Sequence, residues 1–233
     1  MDIEVFWGSG STPAWRVLLG FALAERPFVS RRLSFSDRET RSEAFLAVNP
    51  RGKVPAIREG DFVLNESLAI LAWLDRRFEA GPRLFGTTAA EAGQIWAACL
   101  EYENHASPAL GRLARPLLFG SDPEPGTLDA AIPAVEIELD RLCAWLDNSD
   151  GPPAVVGSTL SAADLVWYTG LRFLERGLTR PAAVEHNLDL LPLTGRWPQL
   201  AAWAARVEAI PGFDQTFPPH WRDGTAPLAD ALG

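Results

Sequence analysis

The sequence predicts a two-part protein: an α/β unit of about eighty residues, then an all-helical half. Three observations carry this. Residues 3–78 alternate strand-like and helix-like runs in the order β-α-β-α-β-β-α. Beyond residue 79 every long periodic run reads as helix. The charge also shifts: residues 1–79 hold eleven basic and eleven acidic side chains, whereas residues 80–233 hold ten and nineteen. The expected divisions are 1–79, a linker at 80–90, and a helical domain at 91–233.

"IEVFW" (3–7) has the aromatic and β-branched content of a strand. "GSGST" (8–12) is a loop. "PAWRVLLGFALAER" from Pro13 reads as a helix, since proline suits a first turn. "PFVSRRLSF" (27–35) reads as a second strand and "DRETRSEAFLAV" (37–48) as a partly helical connection. "VPAIRE" and "FVLN", joined by Gly60-Asp61, form a hairpin pattern. In "ESLAILAWLDRRF" (66–78), Leu68, Leu71 and Leu74 fall at helical spacing, and Asn65 is placed to cap it.

In the second half, the helical run from residue 89 contains Pro108 and Pro116, expected to kink or end it. Residues 127–148 are helical. Ser161 and Asp164 have capping-box spacing at the start of the helical run 158–177. Residues 196–213 read as a further helix ending near Pro211-Gly212, and the last twenty as a surface wrap or frayed tail.

A net charge of -9 argues against nucleic acid and anionic membranes as partners. No run is long and apolar enough to span a bilayer, and the N-terminus lacks a signal-peptide pattern. A cytoplasmic protein is expected. Cys99 and Cys143 have neither CxxC nor metal spacing and read as buried thiols, which sets aside a thioredoxin-type redox centre. His105, His186 and His220 show no spacing that suggests a metal or a catalytic cluster, and no metal is expected.

"NPRGKVPAIREG" (49–60) poses a problem, because Pro55 sits inside a strand pattern and cannot donate to a ladder. It could mark a strand edge. A cis Val54–Pro55 bond would instead present Val54's backbone pair to an extended peptide ligand. Lys53, beside it, is the only lysine against twenty arginines.

These strings together resemble the cytosolic glutathione S-transferases. "NPRGKVPAI" is similar to the family's N-P-x-G-K-V-P-A-L, and "LNESLAILAWL" to its L-x-E-S-x-A-I-x-x-Y-L. "LSAADLVWY" resembles the second domain's S-x-A-D capping box, and "WPQLAAWAARVEAIPGF" its late helix. The resemblance covers residues 3 to about 213. It implies a thioredoxin-like N-terminal domain that binds glutathione, an all-helical C-terminal domain that completes a second-substrate pocket, and a homodimer in which Glu101 and Glu103 reach the partner's site.

Carried over residue by residue, Val54 pairs its backbone with the cysteinyl part of glutathione, held out by cis-Pro55. Ser67 takes the γ-glutamyl carboxylate at a helix start, Glu66 meets the ammonium group, and Lys53 meets the glycyl carboxylate. The loop resembles the serine-type classes (theta, delta, zeta). Ser11, ahead of Pro13 and Val17, is then the hydroxyl that stabilises the thiolate, with Ser9 and Thr12 as alternates. Trp15, Tyr102, Arg112, Arg115 and Trp167 are placed near the second substrate. Thr40 stands where the theta-like pattern has a histidine, leaving Arg38 or Arg41 to take that contact. The zeta serine-cysteine cluster is absent.

Three functions are compatible with this: a transferase that adds glutathione to a small electrophile; a glutathione-dependent isomerase, reductase or peroxidase; and a non-catalytic binding or regulatory protein.

Overall fold

The computed structural model describes residues 2–78, 81–120 and 126–222. The chain forms two compact units. The first takes the residues up to Phe85 together with Ile210–Arg222, and the second takes Gly86–Ala209.

The first unit is thioredoxin-like. Its sheet comprises β1 (Glu4–Trp7), β2 (Val29–Arg32), β3 (Ala56–Glu59) and β4 (Phe62–Asn65), in the order β2-β1-β3-β4. β1 and β2 are parallel, while β1–β3 and β3–β4 are antiparallel. The central strands are the apolar ones, with Val5 and Ile57 fully buried. The edge strand β2, VSRR, is largely exposed. Its charged side chains suit an edge, and they limit it to four residues rather than the nine of the apolar-and-charged run 27–35.

The strands are joined by α1 (Thr12–Leu23), a 3₁₀ turn (Glu39–Arg41), α2 (Glu43–Leu46) and the β3–β4 hairpin. α3 (Ser67–Arg77) follows β4. α1 and α3 pack closely at Gly20, where an added Cβ would lie 2.3 Å from Leu71 Cδ2. Each buried Leu or Ile of this layer contributes roughly 1.5–3 kcal/mol of transfer free energy.

Val54–Pro55 is cis, the second of the two readings of Pro55, and the β3 ladder starts only at Ala56, so Pro55 lies outside it. Leu191–Pro192 is also cis. Other local details differ from the sequence expectation. Asn65 does not cap α3. It ends β4, and Glu66 takes the cap position with φ 69° and no side-chain capping bond. The expected linker is partly tied down: Asp75 Oδ1 accepts the N–H groups of Leu84 (2.6 Å) and Phe85 (3.4 Å), both buried.

The second unit is helical. α4 (Ala89–Glu101) is capped by a Thr88–Glu91 box and passes through a π-helical turn (Tyr102–Ala106) into α5 (Ser107–Phe119). Pro108 starts α5, and Pro116 sits inside it without ending it. α6 (Thr127–Asp147) and α7 (Ala162–Leu178) follow. The Ser161–Asp164 box forms as read. α7 is buried along nearly its whole length and packs on α4 and α5. Three shorter helices complete the unit: α8 (Pro181–Glu185), α9 (Leu193–Arg196) and α10 (Gln199–Glu208). The single helix expected at 196–213 is thus split, with Trp197 and Pro198 between its parts.

Residues 210–222 do not continue the helical domain as the sequence suggested. α11 (Phe213–Thr216) and a 3₁₀ turn (Pro219–Trp221) fold into the first unit. Phe213, Phe217 and Trp221 are buried around the Trp15 ring at centroid distances of 5.3–6.3 Å. That apolar area explains why a proline-rich segment is held in place there.

Candidate functional site

Sheet register sets the site. Phe6 pairs with Ala56, and Ala56 pairs with Asn65 on its other side. The C-terminal end of β1, the N-terminal end of β3 and the C-terminal end of β4 therefore lie side by side. The loop carrying Ser9 and Ser11, the Lys53–Pro55 segment and the Glu66–Ser67 pair all emerge at this one end. The outermost of them, Ser9 and Ser67, are 58 positions apart in sequence.

Ser11 is the N-cap of α1. Its Oγ accepts the Ala14 N–H at 3.3 Å, and its own N–H donates to Gly8 O at 3.1 Å. Since a hydroxyl both accepts and donates, capping leaves the Ser11 proton available to a second acceptor. Thr12 is the first residue of the helix itself. Ser9 Oγ lies 2.6 Å from His220 Nδ1.

The Lys53 turn is built by a residue that sequence reasoning passed over. Asn49 is buried, its Nδ2 donates to Lys53 O (2.6 Å), and its Oδ1 accepts the Arg51 N–H (3.1 Å). Gly52, at φ +61°, packs against Thr40 O and the Arg41 side chain, where a Cβ would come within 2.7 Å. Arg41 Nη1 donates to Arg51 O, so it supports this turn. Lys53 is exposed. The signal for Asn49 was its place three residues before a glycine in "NPRGK".

Glu66 occupies a backbone region that non-glycine residues seldom adopt, at a cost of order 1–3 kcal/mol. Ser67 opens α3 and is buried. The first N–H groups of a helix have no partner within it and favour an anion.

The paired charges of the sheet are at its opposite end. Glu4 accepts from Arg58 Nε (2.6 Å) and Arg31 Nε (2.8 Å), and the Arg58 bond foremost holds its carboxyl below the ordinary range. Arg77 donates to both carboxylate oxygens of Glu59, lowering that carboxyl too. A cavity of about 600 Å³ lies behind α1, lined by Trp7, Leu18, Phe21, Phe28 and Thr216 among others. It is mainly apolar and does not open on the Ser11 hydroxyl, since Ser11 is not among its lining residues.

A glutathione S-transferase N-terminal domain model matches residues 10–77. Glutathione S-transferase A of Pleuronectes platessa is 29% identical over 231 residues, covering 94% of this chain and 93% of that protein. Glutathione S-transferase theta-1 of Homo sapiens is 29% identical over 226 residues, covering 92% and 85%. Among solved structures, a glutathione S-transferase of the Antarctic clam Laternula elliptica superposes with a TM-score of 0.81 at 25% identity, over 99% and 100% of the two chains. In sequence and in fold, the chain is similar to glutathione S-transferases.

The residues expected around a second substrate are distributed differently in this chain. Trp15 is buried in the first unit, with its Nε1 donating to Thr216 Oγ1 at 3.1 Å. Trp167 and Tyr102 are core residues of the second unit. Trp167 Nε1 donates to Ala98 O (3.0 Å), and the two rings meet edge to face at 5.4 Å. Tyr102 lies so close over Gly170 that an added Cβ would come 2.1 Å from its hydroxyl. Arg112 and Arg115 are exposed on α5. Glu101 pairs with Arg141 at 2.7 Å, and Glu103 is half-buried. Among the described residues, no three His, Cys, Asp or Glu side chains group as a metal site. No described helix is long and apolar enough to cross a membrane.

Proposed function

We propose that the protein is a glutathione transferase of the serine type. The register that gathers the Ser11 loop, Val54 and Ser67 at one end of the sheet carries this reading, because glutathione is an extended anionic tripeptide with contacts for each. Val54 aligns its backbone with the cysteinyl unit, as in strand addition. Ser67 and the start of α3 take the γ-glutamyl carboxylate, Glu66 the ammonium group, and Lys53 the glycyl carboxylate.

Ser11 then donates its proton to the sulfur while its lone pair stays on Ala14 N–H. A hydrogen bond to the charged form lowers the thiol's pKa, and the α1 dipole adds to this. The thiol proton leaves to solvent. The thiolate attacks an electrophilic carbon, a C–S bond forms, and the leaving group departs with its bonding pair. By the same relationship we propose a cytoplasmic homodimer acting on small hydrophobic electrophiles in detoxification, with Arg112 and Arg115 facing the second substrate. We assign glutathione to the first domain and the electrophile to the second, as the resemblance implies.

The test is calorimetric titration of glutathione into the wild type and Ser11→Ala, with ultraviolet absorbance of the bound thiolate. Binding with a thiolate signal that the variant loses supports the reading. Equal binding without a thiolate signal points to a non-catalytic glutathione-binding protein. No binding overturns it.

A further inference from the structure

His220 lies outside every motif above and 211 residues from Ser9, yet its imidazole lies on the serine loop. Its Nδ1 is 2.6 Å from Ser9 Oγ. Its ring packs on the Gly10 backbone, where an added Cβ would come 2.7 Å from His220 Cε1. Trp221 Nε1 lies 3.0 Å from His220 Nε2. An indole N–H only donates, so Nε2 must accept and the neutral ring carries its proton on Nδ1. That proton is donated to Ser9 Oγ. The pair is therefore not a nucleophile and its base, since a protonated Nδ1 cannot take the serine's proton.

The clamp has a rigid footing. Trp221 is buried and meets Trp15 of α1 edge-on at 5.5 Å, with interplanar angle 84°. Trp15 also donates to Thr216. The turn that His220 grips is closed by Ser11 N–H to Gly8 O, and the same Ser11 caps α1.

We propose that His220 is a positioning residue: by holding Ser9 through Nδ1–H, it fixes the Gly8–Ser11 turn from which the Ser11 hydroxyl acts. As a statement about catalysis it rests on the glutathione reading. As a statement about the loop it does not.

Two substitutions separate the two ends of the imidazole. His220→Asn retains an N–H donor near the Nδ1 position and loses the acceptor for Trp221. His220→Gln retains a carbonyl near the Nε2 position and loses the donor to Ser9. Ser9→Ala removes the other partner. Amide hydrogen exchange at Ser11 and Ala14 is measured in the ligand-free protein, with α3 amides as the folding control, together with the apparent pKa of bound glutathione's thiol. His220→Gln and Ser9→Ala are expected to speed loop exchange several-fold and raise the thiol pKa by roughly one unit. His220→Asn is expected to stay near wild type. The inference is overturned if His220→Gln and Ser9→Ala exchange like wild type, and a defect in His220→Asn alone would then make Trp221 anchoring the sole role. A wild type without a thiolate signal defeats the transferase reading, while the exchange measurement still decides whether His220 holds the loop.

Discussion

At the residue scale, Ser11 serves two acceptor-donor roles with one hydroxyl. Its lone pair accepts the Ala14 N–H, and its proton remains for a ligand. Capping alone is worth about 1 kcal/mol. Ser11→Ala is therefore expected to lower stability by about that amount, a few degrees at most in a melting curve. Its larger effect should be on the thiolate: loss of one charge-assisted bond predicts a rise of about one to two units in the bound thiol's pKa, read by ultraviolet titration. A change in melting temperature without a change in thiol pKa would reduce Ser11 to a cap. Cys143 is the contrasting case. Burial pushes its thiol up to about 12, with Asp147 and Asp140 adding to it. Since the thiolate is the reactive form, Cys143 should resist alkylation at pH 8 in the folded protein and react only on unfolding, as mass spectrometry of peptides would show.

At the element scale, the start of α7 is the most strongly determined local feature. The S-x-x-D spacing was legible because a capping box needs only two residues three apart. Its weight was not legible. Asp164 also accepts the Val155 N–H and Trp203 Nε1, both at 2.9 Å, and burial raises its pKa against these four bonds. Removing the carboxylate leaves buried donors from three segments unsatisfied. Asp164→Ala is expected to cost roughly 3–5 kcal/mol in urea unfolding. A cost near 1 kcal/mol would mean that the carboxylate acts only as a helix cap. The start of α3 went the other way. Asn65 has the composition of a cap, but the β4 ladder claims it through its pairing with Ala56. The helix then begins after Glu66, whose positive φ no propensity would suggest.

At the scale of the whole molecule, pH should act through a buried pair in the second unit. Burial raises the Glu175 carboxyl to about 7, with the adjoining Arg172 opposing. In the unfolded chain this carboxyl titrates near 4.3. Between these values the folded state holds a proton that the unfolded state has lost, so stability falls as pH rises from about 4.3 to about 7. The lowered carboxyls of Glu4, Glu59 and Glu91 act in the opposite sense but below that window. Urea midpoints are expected to be higher at pH 5 than at pH 8, and Glu175→Gln should flatten the difference. An unchanged slope in that variant would assign the dependence to other groups.

Local signals were enough for the α/β order of the first unit, the helical second half and both residues of the Ser161–Asp164 box, whereas Ser11 and the Lys53–Val54 pair came from the resemblance. The former depend on spacings of a few residues, which periodicity and capping chemistry express directly. Tertiary structure decided the rest. Register alone gathers Ser11, Val54 and Ser67 at one sheet end. Packing turned Trp15, Tyr102 and Trp167 from expected pocket residues into core. The return of residues 210–222 to the first unit set His220 against Ser9, 211 residues away. Such contacts form because distant apolar rings bury one another, and a single sequence carries no local mark of which ring will meet which.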